Sequence, residues 1–273
     1  MINRFLLNKI VLILSTLAAA IGIAFLFWIL ITLMIKGVST LSLEIFTQDM
    51  VNGGIRNLLI GQFVMAGIAS LIGIPVGMMA GIYLREYGRN QKLVNFIRNL
   101  SDVMMSAPSI VIGVFVFALM VVPVNSFNGW AGSVALSIMM LPIIISTTDS
   151  MLSLVPNEMR EAGMALGGSK HRVILDIVLK SAKVGITTGI LLAFARIIGE
   201  TAPLLFTSAN NAFLTLDMND QFPSITVAIY NLANYPDQES RDLAWTASFV
   251  LTMIVLMINL LGRYITAKKK KRN

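Results

Sequence analysis

A chain of 273 residues in which 56% are hydrophobic and 13% charged has too little polar surface to coat a water-soluble globule, so lipid is expected to be its main solvent. It contains no cysteine, which excludes disulfides, thiolate metal sites and cysteine nucleophiles, and its single histidine, His171, excludes a multi-histidine cluster. The net charge of +7 comes from Lys and Arg set between apolar blocks, not in a patch interleaved with aromatics, and this points to membrane topology instead of nucleic acid.

In chain order, apolar runs lie near Ile10 to Ile35, Leu58 to Leu84, Val103 to Pro123, Trp130 to Ser150, Val184 to Phe206 and Ala244 to Ile265. Each is close to the roughly 20 residues that cross about 30 Å of hydrocarbon as a helix. The expected fold class is therefore an all-α polytopic membrane protein with six transmembrane helices. Residues 1–56 are expected to form the first span and an external loop, and residues 57–273 a core of five spans. Arg4 and Lys9 give the first run the look of a signal peptide, but about 26 apolar residues exceed an ordinary signal core, so it reads as a retained span.

Positive charge orients the bundle. The N-terminus (Arg4, Lys9), the second-to-third loop (Arg85, Arg89, Lys92, Arg98), the fourth-to-fifth loop (Arg160, Lys170, Arg172, Lys180, Lys183) and the tail (Arg263, Lys268 to Arg272) hold nearly all of it. These segments are expected on the cytoplasmic side, with both termini, and the acidic segments on the external side. Methionines scattered through the spans read as packing residues. Gly73, Pro75, Gly77, Gly81, Pro108, Gly113 and Pro142 allow close approach and kinks within the spans.

The longest internal cytoplasmic segment, about 151–183, reads as two short helices around a glycine turn. Pro156 suits a first turn, Glu158 and Glu161 favour its positive end, Gly167-Gly168 supplies the stop, and Ser169 is placed to cap the second helix. The string from Gly163 to Lys170 nearly spells a phosphate-cradling loop, but its lysine and hydroxyl residue are reversed and no strand precedes it. The chain offers no other such lysine, so an ATP-driven process would need its motor on another subunit.

Arg196 is an expensive residue for the fifth span. It lies about 13 residues beyond Lys183, hence roughly 20 Å along the helix, where insertion costs roughly 2.5 to 3.5 kcal/mol. Glu200, four residues on, shares its helix face and is the natural counter-ion. Pro203 cannot donate to the carbonyl of Gly199, and a freed carbonyl at this depth requires protein or a water-filled cavity beside it. The segment is therefore expected to line a pathway, and the planar guanidinium of Arg196 suits an oxyanion. These residues say only "anion or charged solute".

Two strings carry a resemblance to a known family. Glu161-Ala162-Gly163 with Gly167 and Ile177-Val178-Leu179 is similar to the EAA loop of ABC importer permeases, whose coupling helix docks on the ATPase. This chain departs from that pattern at Gly163, where alanine is usual, and at Lys180, where a lysine in place of the usual proline argues against a helix break. The string Arg196-Ile197-Ile198-Gly199-Glu200-Thr201-Ala202-Pro203-Leu204-Leu205-Phe206-Thr207 closely resembles the signature of the PstA family, permease subunits of bacterial phosphate ABC importers.

The resemblance implies a type I ABC importer permease core (MetI-like), with Arg196, Glu200, Thr201 and Pro203 on the substrate path and Glu161, Ala162, Gly163 and Gly167 in ATPase coupling. It also implies a PstC-like second permease, a PstB-like ATPase dimer that binds ATP and Mg, and a PstS-like phosphate-binding protein. No cofactor is expected in this chain, and no metal site. The expected location is the bacterial inner membrane. An ion-coupled transporter or anion channel, or a permease for sulfate or molybdate, remains an alternative. An intramembrane enzyme lacks a credible nucleophile and base. The acidic external segment, about 208–243, carries an apolar stretch from Ile225 to Tyr230 that would lie at the membrane interface, meet the binding protein, or simply cover the bundle.

Overall fold

The structure, a computed structural model, describes residues 4–270, so Lys271 and Arg272 of the basic tail lie outside the described residues. Among the described residues every regular element is a helix, as suits a chain in lipid, where every backbone polar group has to be satisfied internally. In order they form α1 (Arg4–Ser39), α2 (Arg56–Ile82), α3 (Gln91–Ser106), α4 (Ser109–Val116), α5 (Gly129–Ser153), α6 (Asn157–Ala165), α7 (Lys170–Val173), α8 (Leu179–Ile198), α9 (Ala202–Thr207), α10 (Ile225–Ala233) and α11 (Gln238–Lys270). Five segments are long and apolar enough to cross a membrane, and α3 with α4 makes a sixth crossing only as a pair bent by 103°.

That bend corrects the third span. The run from Val103 to Pro123 is not one rod, because Pro108 pushes Ala107 into extended backbone (ψ 139°) and α3 stops at Ser106. Asn90 caps the other end of α3 by accepting hydrogen bonds from the backbone of Lys92 and Leu93. Arg98 then fixes α3 to α5 through two hydrogen bonds to Asp149, at 2.8 and 3.1 Å.

The centre of the bundle is the α2–α5 pair. Gly73, Gly77 and Gly81 fall at four-residue intervals on one face of α2, and α5 lies directly on them: a Cβ at Gly77 would sit 2.9 Å from Ile144 Cβ, and one at Gly81 2.6 Å from Thr148 Cβ. Small residues let the backbones approach this closely in a medium that gives helices no hydrophobic reason to associate. Pro75 and Pro142 sit inside these two helices without ending them. Around this pair pack α8 and then α11, with Met65, Leu136, Met140, Ile144, Ile197, Ile198, Leu204 and Phe222 in the main core.

α1 stands apart. Its main partner is α11, and its apolar side chains are exposed along most of its length, as suits a helix facing lipid or another membrane chain. The segment 208–243 packs on the bundle: α10 buries Ile225, Val227, Ala228 and Leu232 against α2 and α11, while Tyr230 points outward. Its start is anchored by Ser224, whose hydroxyl caps α10.

Candidate functional site: the broken fifth span and the cytoplasmic loop

The fifth span breaks where Pro203 implies it should. α8 ends at Ile198, the Gly199 N–H turns back to the Arg196 carbonyl at 3.1 Å, and α9 restarts at Ala202 with Pro203 in its first turn, where a missing N–H costs least. The Thr201 carbonyl opens α9 by accepting from the backbone of Leu204 and Leu205.

Carbonyls released at the break find partners on other helices. Gln62, in the second turn of α2, donates to the Ile198 carbonyl at 3.0 Å. Thr226, on α10, donates to the Glu200 carbonyl at 2.8 Å. Ser224 joins the two by donating to the Gln62 side-chain oxygen at 2.9 Å and lying 3.1 Å from the Thr226 hydroxyl. Gln62, Ser224 and Thr226 are all buried, so this is a satisfied polar network of the kind that fixes one arrangement of a core. None was singled out from sequence, although a lone amide inside an otherwise apolar run was a legible signal for Gln62.

Glu200 does not share a helix face with Arg196, as spacing alone suggested, because α8 ends at Ile198 and leaves Glu200 in the break; the two still meet there, with the guanidinium Nε 3.5 Å from a carboxylate oxygen. The arginine side chain is 53% exposed and the glutamate 17%. Glu200 also meets the hydroxyl of Ser109, at the start of α4. Pro203 packs so tightly on α4 that a Cβ at Gly113 would come within 2.7 Å of its Cα. The two interrupted spans therefore meet at their breaks. A cavity of about 80 Å³ lies there, lined by Arg196 together with Met104, Met105 and Ala107 at the α3–α4 bend and Met139 and Pro142 on α5. An exposed guanidinium with donors to spare, steadied by a covered carboxylate, can receive an anion from the open side.

The segment between the fourth and fifth spans departs from two short helices: α6 is short and starts at Asn157 with Pro156 at its N-cap, but the second helix continues into the fifth span. Gly167 takes positive φ (85°) and ends α6, as its place in the sequence requires. Ser169 makes no side-chain cap; its carbonyl opens α7 by accepting from the Val173 N–H. From Lys170 the chain runs to Ile198 as one rod, with a π-helical turn at Ile174–Val178, and Lys180 pairs with Asp176 at 2.8 Å instead of breaking the helix. Gly163 lies inside α6, so the near-match to a phosphate loop has the wrong backbone.

Glu161 and Ala162 are exposed on α6 beside Met164 and Leu166, the latter 91% exposed. Gly163 is buried, and a Cβ there would meet Ile177 Cδ1 at 2.6 Å, so the departure from alanine matches a tighter fit of α6 on the rod. Arg160, read from sequence only as a topological charge, makes a 2.6 Å ion pair with Glu86 in the π-helical turn that extends α2.

Known proteins resemble this chain over most of its length. Residues 73–271 match the family described as "Binding-protein-dependent transport system inner membrane component". The chain is 46% identical over 98% of its length, and 97% of the relative's, to the phosphate transport system permease protein PstA of Pasteurella multocida. It is 46% identical to that of Haemophilus influenzae, over 96% of this chain and 95% of that one. Among solved structures, a bacterial ABC transporter involved in import of the polysaccharide alginate superposes with a TM-score of 0.65 at 12% identity, covering 97% of this chain and 99% of that chain. The inward-facing MetNI methionine ABC transporter gives a TM-score of 0.61 at 19% identity, over 84% of this chain and 99% of that one. These structural likenesses establish the fold, a type I ABC importer permease. The chain is a multi-pass membrane protein that belongs to the binding-protein-dependent transport system inner membrane component family and, within it, to the PstA permeases.

Proposed function

We propose that this chain is the permease subunit of an ATP-driven phosphate importer and forms one half of the translocation pathway. Relatives at 46% identity over nearly the whole chain are phosphate permeases, which favours phosphate over sulfate or molybdate and an ATP-driven importer over an ion-coupled transporter or channel. Its partners are a PstC-like permease, a PstB-like ATPase dimer carrying ATP and Mg, and a PstS-like binding protein outside. Both termini face the cytoplasm, where the basic segments lie.

Arg196 carries the reading of the site. It sits half exposed at a break between helices, on a face that this chain leaves open, at a depth where an uncovered guanidinium is costly. A second permease facing it would cover the charge and complete the site. Arg196 contacts the passing anion, Glu200 holds the fork and weakens the hold on the anion enough for release, and Thr201 and Pro203 shape the bend. On the cytoplasmic side Glu161 and Ala162 meet the ATPase, while Gly163 and Gly167 set how α6 is seated.

The test is uptake of labelled phosphate by the reconstituted complex, with wild type compared with Arg196→Gln and Glu200→Gln. The expected result is a large loss in both. Normal uptake in both removes the site assignment, and uptake of sulfate in place of phosphate removes the substrate.

A further inference from the structure

The best-satisfied charge in the cytoplasmic half is one that the transport pathway does not use. The Arg160 guanidinium reaches Glu86 with Nη2 at 2.6 Å and Nε at 3.2 Å from the carboxylate. The same group donates to the carbonyls of Leu152 and Val155, at 2.9 and 2.6 Å, where α5 runs out. Only 13% of the Arg160 side chain and 5% of the Glu86 side chain is exposed. By contrast the Lys180–Asp176 pair on the same loop is 65% and 61% exposed, a surface pair of little energetic consequence.

A second cation grips the same place. Lys170, the first residue of α7, donates to the Glu86 carbonyl and lies 4.8 Å from the centre of the Tyr87 ring. Glu86 and Tyr87 close the π-helical turn Tyr83–Tyr87 that extends α2. Thus α6, the start of the α7–α8 rod, the end of α5 and the extension of α2 are all tied to the Glu86–Arg160 pair, α6 through the carboxylate, the rod through the Glu86 carbonyl and α5 through Arg160.

We infer that Glu86, held by Arg160 and Lys170, is the joint through which movement of the cytoplasmic loop is delivered to α2. This rests on the reading of α6 as the element that meets the ATPase. Pulling α6 away from α2 would strand a buried charge on each side, and breaking a buried pair is far more costly than moving it intact. α2 must therefore follow α6. Because α2 is locked to α5 by its glycine face and holds the Ile198 carbonyl through Gln62, displacement at Glu86 reaches the break beside Arg196 along a single helix, about 36 Å away at 1.5 Å per residue. Glu86 and Arg160 are positioning residues and touch no substrate.

The experiment uses the complete reconstituted complex and measures phosphate transported per ATP hydrolysed, together with retention of the ATPase on purification. Glu86→Gln keeps the shape and removes the charge; Arg160→Lys keeps the charge and removes the fork. Both are expected to retain the ATPase while transport per ATP falls about tenfold, with Arg160→Lys the milder. An unchanged ratio in Glu86→Gln overturns the proposal. Wild type that never retains an ATPase overturns the functional reading beneath it instead.

A measurement on otherwise wild-type protein covers a variant that fails to assemble. With no native cysteine in the chain, spin labels at Met164→Cys on α6 and Met79→Cys on α2 report their separation. One narrow distance, unchanged when nucleotide binds, is expected. A distance that changes with nucleotide means that α6 and α2 move independently, and overturns the joint.

Discussion

Arg196 Nε lies 3.5 Å from a carboxylate oxygen of Glu200, four residues on, and the arginine is the more exposed of the two by 53% to 17%. The carboxylate is thus covered by protein while the cation faces outward, which is the polarity an anion path requires. Arg196→Lys keeps the charge but loses the planar fork, and a lost charge-assisted hydrogen bond is worth about 1.5–3 kcal/mol, so phosphate uptake is expected to fall about tenfold or more. Initial uptake rates against phosphate concentration check this. A lysine variant with wild-type kinetics would make the arginine a source of potential only.

The polar network at the break gives a stability prediction. Gln62→Leu leaves the Ile198 carbonyl without its buried partner, at about 1–3 kcal/mol for the unsatisfied group, while the Ser224 hydroxyl keeps its neighbour Thr226. Thermal unfolding of the purified protein is expected at lower temperature, and Gln62→Glu is expected to be worse, because an ionised carboxylate cannot donate and would bury an unpaired charge against the Ile198 carbonyl oxygen. Unfolding unchanged in Gln62→Leu would show that the break needs no support from α2.

The contact between the two interrupted spans is equally specific. At Gly113 an added methyl would meet the Pro203 backbone at 2.7 Å, so Gly113→Ala must push α4 off α9. Impaired uptake in a complex that still assembles is the expected outcome. Gly67→Ala on α2, where nothing lies within 4 Å of the added carbon, is the control.

Just before α2, Asp49 accepts from Arg56 at 2.9 Å and from the backbone of Leu214 at 3.3 Å, tying the start of α2 to the segment after α9. The Arg56 hydrogen bond holds the Asp49 carboxyl below the ordinary carboxylate range. A depressed folded-state pKa contributes stability that is complete above the unfolded value, about 3.9, and lost as pH falls through the folded one. The stability difference between wild type and Asp49→Asn is therefore expected to be steady near neutrality and to shrink below about pH 4. Thermal unfolding across that pH range measures it, and a difference that grows on acidification would contradict the assignment.

Reversing charge on the exposed face of α6 tests the cytoplasmic contact. Glu161→Arg is expected to weaken ATPase retention and to lower transport with it, without changing the thermal unfolding of the chain, because the side chain is exposed. ATPase association and transport both intact in this variant would remove α6 as the contact.

Much of this protein was legible in its sequence because the bilayer tolerates so few solutions. Apolar runs of fixed length must be helices, and a charge such as Arg196 inside one must have a reason. The interruption before Pro203 and the turn at Gly167 follow from local geometry, whereas the helix face that spacing gave Arg196 and Glu200 does not exist, because α8 ends at Ile198 and the pair meets across the break instead. What sequence spacing could not supply were relations between helices. The third span looked continuous, because one proline after Ala107 does not reveal a bend of 103°. Pro75 and Pro142, which look no different, leave their helices running. Gln62 and Thr226 are 164 residues apart in number, yet both close the backbone of the same break, and Arg160 finds Glu86 across 74 residues. Hydrogen bonds and buried ion pairs depend on distances of a few ångströms, which packing alone fixes. The sequence by itself determined that an arginine and a glutamate would stand together inside the membrane; the tertiary structure decided which side of the pair stays open and which helices hold it there.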